Sequence, residues 1–189
     1  MKRLVIIAGA NGTGKTTLAK EFLKKYKINF LNADEIALSI SKNKKNLLEN
    51  RIKAGKRFIV RLSNAIKARE SIAVESTLAG RYLLKTIRNV KKQGFRISII
   101  YVFVDNAEIA LRRIQARVDA GGHDVPKQDV LRRFDRSKLN FWKLYKNVAD
   151  EWTMFYNGME RPVLVASGEK AGFEVVDSLL FRSFKKETR

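Results

Sequence analysis

Gly9-Ala-Asn-Gly-Thr-Gly-Lys-Thr16 is the stretch on which the reading of this chain turns. It fills every fixed position of the pattern G-x-x-x-x-G-K-[S/T], through Gly9, Gly14, Lys15 and Thr16, with Ala10, Asn11, Gly12 and Thr13 between them. Before it, Leu4–Ala8 is a short, continuous apolar run containing β-branched residues, the pattern of a strand buried on both faces. After it, Lys15–Tyr26 repeats apolar residues at helical spacing through Leu18, Phe22 and Leu23. Glycines placed there let the backbone curl so that successive amides point inward, and a helix N-terminus adds its positive end. Such a loop cradles phosphates. Residues Gly9 to Thr17 are therefore expected to hold a nucleoside triphosphate, with Lys15 reaching the β- and γ-phosphates and Thr16 placing its hydroxyl on Mg²⁺.

Outward from the loop, strands and helices alternate. Ile28–Leu31 reads as a weak second strand. Asn43 to Ala68 reads as a long helix, with apolar positions at Leu47, Leu48, Ile52, Phe58, Ile59, Leu62 and Ile66 and Gly55 as a place to bend. Ser71–Glu75 is a strand, Arg81–Gln93 a helix closed by Gly94, and Arg96–Val104 the clearest strand. A helix over Asn106–Val118, a loop over Asp119–Pro126 and a helix from about Lys127 to Val148 come next. Pro162–Ala166 supplies a last strand and Phe173–Phe184 a last helix. Strands separated by helical crossovers imply an α/β fold: a three-layer sandwich with a five-stranded parallel sheet and helices on both faces. No linker or repeat divides residues 1–189, which read as one domain ending in a basic tail at 182–189.

The 189 residues include 39 Lys+Arg against 19 Asp+Glu, a formal net charge of +20. With 45% hydrophobic residues the chain can bury a full core, which excludes disorder. Zero Cys excludes a disulfide scaffold, a thiolate metal site and a Cys nucleophile. The longest apolar run, Ser98–Val104, is far too short to span a membrane. Met1-Lys-Arg followed by Leu4–Ala10 imitates a signal peptide, but the apolar part is at the short limit and runs straight into the glycine loop. A cytoplasmic location is expected. The charge gathers at Asn43 to Arg69 (Lys44, Lys45, Arg51, Lys53, Lys56, Arg57, Arg61, Lys67, with Lys42 just before) and at Arg81 to Arg96. It calls for phosphate-rich ligands, nucleic acid, an anionic membrane surface or an acidic partner, or is a solvated surface.

Three acids fall at the ends of parallel strands, where a doubly wound sheet builds its site. Asn32-Ala-Asp-Glu35 has the form of a helix cap, with Asn32 capping and Asp34 favoured by the helix dipole. Asp34 is equally able to accept a proton from a hydroxyl beside the γ-phosphate. Asp105-Asn-Ala-Glu108 is another capping box, which suffices to explain Asp105. Glu75 has no cap pattern, and a lone acid at the end of a buried strand is costly unless paired or on a metal, so it is read as a Mg²⁺ or substrate residue. Thr77 either bonds a ligand or shapes the turn before Gly80. From Leu111 to Lys138 the chain carries Arg112, Arg113, Arg117, Arg132, Arg133 and Arg136, with Arg113/Arg117 and Arg132/Arg136 each sharing a helical face. Two helices and a hinged loop over 106–148 look like a lid that brings guanidiniums to a triphosphate; about half of these arginines are expected to be plain surface. His123, the one His, reads as structural, and Phe141, Trp142, Tyr145, Trp152, Phe155 and Tyr156 read as core.

Taken together, Gly9–Thr17, Asn32-Ala-Asp-Glu-Ile-Ala37, Glu75-Ser-Thr-Leu78, Gly121-Gly-His-Asp-Val-Pro126 and Arg132–Asn140 resemble the zeta-toxin-like P-loop kinases, in particular their small branch with this lid motif. The resemblance runs from about Val5 to Asn157. It implies a kinase-like P-loop NTPase fold with a helical lid, ATP and Mg²⁺ as cofactors, and phosphoryl transfer to a small-molecule hydroxyl, which in the toxin branch belongs to UDP-N-acetylglucosamine. It implies Asp34 as general base, Glu75 and Thr77 near substrate and metal, Arg117 and Arg133 on the phosphates, and Arg113 and Arg136 near substrate. It also implies an acidic, antitoxin-like protein partner. Two features depart from the toxin branch: no His-Pro follows Asn32–Glu35, and the chain is shorter. Two other readings stand beside this one, a nucleic-acid end kinase and a non-catalytic, ATP-responsive toxin–antitoxin module.

Overall fold

A computed structural model describes residues 1–24, 28–40, 47–122, 124–186 and 188. Five strands run parallel: β1 (Arg3–Ala8), β2 (Asn29–Leu31), β3 (Ile72–Ser76), β4 (Arg96–Phe103) and β5 (Glu151–Tyr156). Two more, β6 (Val163–Glu169) and β7 (Gly172–Val175), add on antiparallel. The order across the sheet is β2-β3-β1-β4-β5-β6-β7.

The sheet is thus seven-stranded and mixed, not five-stranded and parallel as the sequence suggested. The fifth parallel strand is Glu151–Tyr156, where only packing aromatics were foreseen, and the stretch taken for it, Pro162–Ala166, belongs to antiparallel β6. Phe173 lies in β7, so the last helix, α8, starts at Ser178 and continues through Lys186. Its Phe184 is buried, which anchors a segment expected to be a fraying tail.

Helices α1 (Lys15–Lys24), α2 (Ala33–Ile40), α3 (Leu47–Lys67), α4 (Tyr82–Lys92), α5 (Ala107–Asp119) and α6 (Lys127–Asn140) connect the strands. A π-helical turn, Phe141–Tyr145, joins α6 to the short α7 (Lys146–Val148). The single helix expected there is therefore broken by a turn that buries both Phe141 and Tyr145. Residue Gly55 sits inside an uninterrupted α3. The expected helix start at Asn43, the helix end at Tyr26, Lys42, Lys44, Lys45 and His123 lie outside the described residues.

One face of the sheet packs Leu4, Ile6, Ile97, Ile99 and Tyr101 against Leu62 and Ile66 of α3, Leu83, Ile87 and Val90 of α4, Phe141, Tyr145 and Phe184. The opposite face packs Val5, Ile7 and Ile100 against Ala19 and Leu23 of α1. Helices α5 and α6 close over Ala10 and Val104, just beyond the carboxyl ends of β1 and β4, through Ala110, Ile114, Val130 and Phe134. This leaves the glycine loop, the start of α2 and the inner face of α5 around one cleft, at the end of the sheet where such folds bind ligands.

Candidate functional site

The loop after β1 needs its glycines. Gly9, Gly12 and Gly14 have φ of 143°, 79° and 90°. A Cβ on Gly9 would sit 2.1 Å from the Val102 carbonyl oxygen, and one on Gly12 2.4 Å from that of Ala110. The loop is tied internally by the Thr13 hydroxyl, which donates to the Ala10 carbonyl at 3.0 Å, and externally by the Asn157 amide, which donates to the Thr13 carbonyl at 2.9 Å.

Lys15 is only 5% exposed. Its Nζ donates to the Ala10 carbonyl at 2.8 Å and pairs with Glu75 Oε1 at 3.5 Å. Glu75, at the end of β3, also accepts at Oε2 from the Thr16 hydroxyl at 2.7 Å and the Asn32 amide at 2.9 Å. The buried acid that looked costly in sequence is therefore held by a cation and two donors. Thr16 and Glu75 put a hydroxyl and a carboxylate side by side, the hard oxygen donors that Mg²⁺ takes together with phosphate and water. Among the described residues no cluster of three His, Cys, Asp or Glu could hold a metal unaided.

A cleft of about 570 Å³ opens over the loop. Asp34, Glu75 and Thr17 line it together with Arg113 and Arg117 of α5 and with Asn157. The Arg113 Nη1 is buried without a hydrogen-bond partner. A second compartment of about 280 Å³ adjoins it between α2, α3 and α6, and Asp34 and Asn11 line both spaces. A larger recess of about 660 Å³ lies against β4–β6, near Phe22 and Phe155, and no residue of the glycine loop borders it.

Asp34 stands in the first turn of α2 and also lines the cleft. Its backbone N–H donates to the Asn32 side chain at 2.8 Å, so Asn32 caps α2, while its carboxylate lines the cleft. Glu35 does not complete a capping box but pairs with Lys20 at 3.3 Å. At α5 the cap is Asn106, which accepts from Ile109 N–H at 3.1 Å, rather than Asp105. Asp105 instead accepts from the Tyr156 hydroxyl. Burial, and then that carboxylate, push the Tyr156 phenol up to about 12.

The remaining expected residues divide. Arg113 and Arg117 face the cleft, and Arg133 lines the second compartment, paired with Asp129 at 3.2 Å. Arg136 and Arg112 are exposed and border neither space. Thr77 also borders neither; its hydroxyl accepts from Ala79 N–H at 3.4 Å and shapes the turn. Asn157 is the contributor that residue type alone did not single out, and Asn32, expected only as a cap, also donates to Glu75. Asn157 stands at the end of an unforeseen strand, which is why no motif announced it.

A phosphate-cradling loop on a mixed sheet, with a basic helix pair closing over it, defines an α/β fold of the P-loop, kinase-like kind. A family model described as an AAA domain matches residues 4–141, and the chain belongs to that family. An uncharacterised protein of Haemophilus influenzae is 32% identical over 132 residues, covering 70% of this chain and 92% of its own. A solved structure of AvrRxo1-ORF1:AvrRxo1-ORF2 with ATP contains a chain that superposes with a TM-score of 0.78 at 18% identity, over 100% of this chain and 64% of that one. This chain thus spans somewhat less than two thirds of its length. A structure of the PezAT toxin–antitoxin system of Streptococcus pneumoniae gives a TM-score of 0.64 at 13% identity, over 99% and 86% of the two chains. At these identities the two structures show a shared fold. No described helix is long and apolar enough to cross a membrane.

Proposed function

We propose that this protein transfers the γ-phosphate of ATP to a hydroxyl of a small molecule. The observation that carries the reading is that one cleft brings together the glycine loop, Asp34 and Arg113, whose buried Nη1 has no hydrogen-bond partner. The loop amides and Lys15 hold the β- and γ-phosphates. Thr16 and Glu75 would hold Mg²⁺, which would supply positive charge against those phosphates. Asp34 takes the proton of the attacking hydroxyl, whose oxygen bonds to the γ-phosphorus as the bond to the β-phosphate oxygen breaks and ADP leaves. Arg113 and Arg117 meet the charge on the equatorial oxygens from the α5 side. Arg133, which lines the adjoining compartment, belongs to the acceptor side of this scheme, while Thr77 and Arg136 border neither space and take no part in it.

The test is Asp34→Asn, followed with labelled ATP, a metabolite extract and mass spectrometry of whatever gains phosphate. Transfer should fall about 10²- to 10⁴-fold while ATP affinity holds. Undiminished transfer would remove Asp34 from the role of base.

The finer assignment, a cytoplasmic zeta-toxin-like kinase with UDP-N-acetylglucosamine as acceptor and an acidic antitoxin-like partner, is supported by the ordered motifs and by the fold shared with the PezAT structure. Co-purification of a small acidic protein, together with no turnover on any acceptor, would favour the non-catalytic module instead. A nucleic-acid end kinase is favoured by one observation, the basic helices α3 and α4. However, no residue of α4 lines the cleft or its neighbour, and α3 brings only Ala54 and Gly55, not a cation, to the neighbour.

A further inference from the structure

One contact on the glycine loop comes from far away in sequence. Asn157 directly follows β5, and its side-chain amide donates to the Thr13 carbonyl at 2.9 Å. Only the nitrogen of an amide can serve a carbonyl, so this side chain has one usable orientation. Its backbone is fixed as well. The Asn157 N–H donates to the Phe103 carbonyl at 2.8 Å, which carries the β4–β5 pairing one residue past the strand. Gly158 lets the chain turn away immediately afterwards. A Cβ there would lie 2.0 Å from the Tyr156 hydroxyl, which is itself bonded to Asp105.

The consequence falls on the peptide unit that joins Thr13 to Gly14. No described peptide bond is cis, and in a planar trans unit the C=O and the N–H point in opposite directions. By holding the Thr13 carbonyl, Asn157 therefore sets the direction of the Gly14 N–H. Gly14 lines the cleft, and among the described residues its N–H donates to no group. An unpartnered loop amide beside the start of a helix is a phosphate donor. Without Asn157 the unit could turn over. The Thr13 hydroxyl is already given to the Ala10 carbonyl at 3.0 Å. Gly14, at a φ of 90°, is a residue whose φ changes sign at little cost.

We infer that Asn157 is a positioning residue of the nucleotide site: its hold on the Thr13 carbonyl aims the Gly14 N–H at a bound phosphate. It acts on the phosphates through the loop, and not on the nucleoside or the attacking hydroxyl. The inference rests on the nucleotide-binding part of the proposed function and is independent of the acceptor.

Two variants test it. Asn157→Leu keeps a side chain of similar size and removes the donor, whereas Asn157→Ala leaves room for a water to donate to Thr13 instead. Affinities for Mg²⁺-ATP and for Mg²⁺-tripolyphosphate, a probe with phosphates and no nucleoside, are measured by calorimetry, beside the melting temperature of the ligand-free protein. Asn157→Leu should weaken both ligands by the same factor, about tenfold or more, the effect of losing one hydrogen bond to a charged group. Asn157→Ala should lose less. In amide NMR spectra the Gly14 signal of the wild type should move when tripolyphosphate is added.

A wild-type Gly14 signal that tripolyphosphate leaves in place overturns the inference, whether or not the variants fold. Weaker ATP binding with tripolyphosphate unaffected would put Asn157 on the nucleoside and overturn the positioning role. A lower melting temperature with both affinities intact would reduce the contact to a structural one and overturn it too. Wild-type protein that binds neither ligand removes the nucleotide site and this inference together. Binding is read without turnover, so failure to find any phosphoryl acceptor would sink the kinase reading and leave this one standing.

Discussion

At the scale of single residues, the three loop glycines are not equivalent. A Cβ on Gly9 or Gly12 would strike backbone, the carbonyls of Val102 and Ala110, which cannot move without dragging β4 or α5 along. A Cβ on Gly14 would strike only the Asn157 amide, at 2.2 Å, and a side chain can turn aside. All three also carry positive φ, which costs a non-glycine residue about 1–2 kcal/mol. Gly14→Ala should then lower the melting temperature by roughly 2–8 °C, at about 2–4 °C per kcal/mol for a chain of this size. Gly9→Ala and Gly12→Ala should lower it further; equal shifts in calorimetry would refute the steric ranking. The motif announced these positions because the spacing of glycines, Lys15 and Thr16 is itself the requirement. It could not announce the orphaned Arg113 and Asn11 atoms, since whether a buried group finds a partner is decided by elements distant in sequence.

At the scale of elements, β1, β3 and β4 were legible because continuous apolar runs of the right length fit strands covered on both faces. Strand β5 was not. It is only half covered, so Trp152, Met154 and Tyr156 are buried while Thr153 and Phe155 are partly open, and two acids introduce it. The alternation was present in the sequence, followed by the turn signal Asn157-Gly158, but its aromatics also fit a packed helix. The acids prove structural. Asp150 accepts from Ile97 N–H at 2.9 Å, fastening β5 to β4, and pairs with Lys91 at 3.0 Å and Lys170 at 3.3 Å. Burial alone would raise its carboxyl, but the Ile97 amide and the two ammoniums prevail and hold it below its ordinary value. A folded-state value below the unfolded one makes the stabilisation present above the unfolded pKa of about 3.9, and it is lost as pH falls through the folded value. Asp150→Asn keeps an acceptor for Ile97 but loses both ion pairs. Its melting temperature should lie about 2–4 °C below wild type at pH 7, for a loss near 1 kcal/mol, and the gap should narrow as pH falls below the unfolded value. A gap that does not narrow at all on acidification would assign the effect to hydrogen bonding alone.

At the scale of the whole molecule, the net charge of +20 is not spread evenly. Helices α3, α4 and α8 and residues 141–148 all pack on the same face of the sheet, and together they carry fifteen Lys/Arg against one acid, Glu49. Glu49 is taken up by Lys53. Some of these cations have structural duties: Lys91 donates to the Val148 carbonyl, and Lys146 and Lys185 lie over the Trp142 ring at 4.5 and 4.2 Å. Lys85, Arg88 and Lys92 are different. They are exposed along one stripe of α4 beside a shallow recess, and among the described residues no ion pair engages them. Because the nucleotide cleft draws on α5 for its arginines, the basic layer and the site are separate electrostatic features. The layer should bind polyanions such as heparin or duplex DNA with an affinity that falls steeply with salt. Replacing Lys85, Arg88 and Lys92 with Gln should lower the eluting salt and reduce the slope of log K against log salt by about 1 for each residue that meets a phosphate. Phosphoryl transfer to a small acceptor should be untouched, since none of the three reaches Asp34's compartments. If transfer falls together with polyanion binding, the acceptor approaches over α4, and the end-kinase reading displaces the small-molecule one.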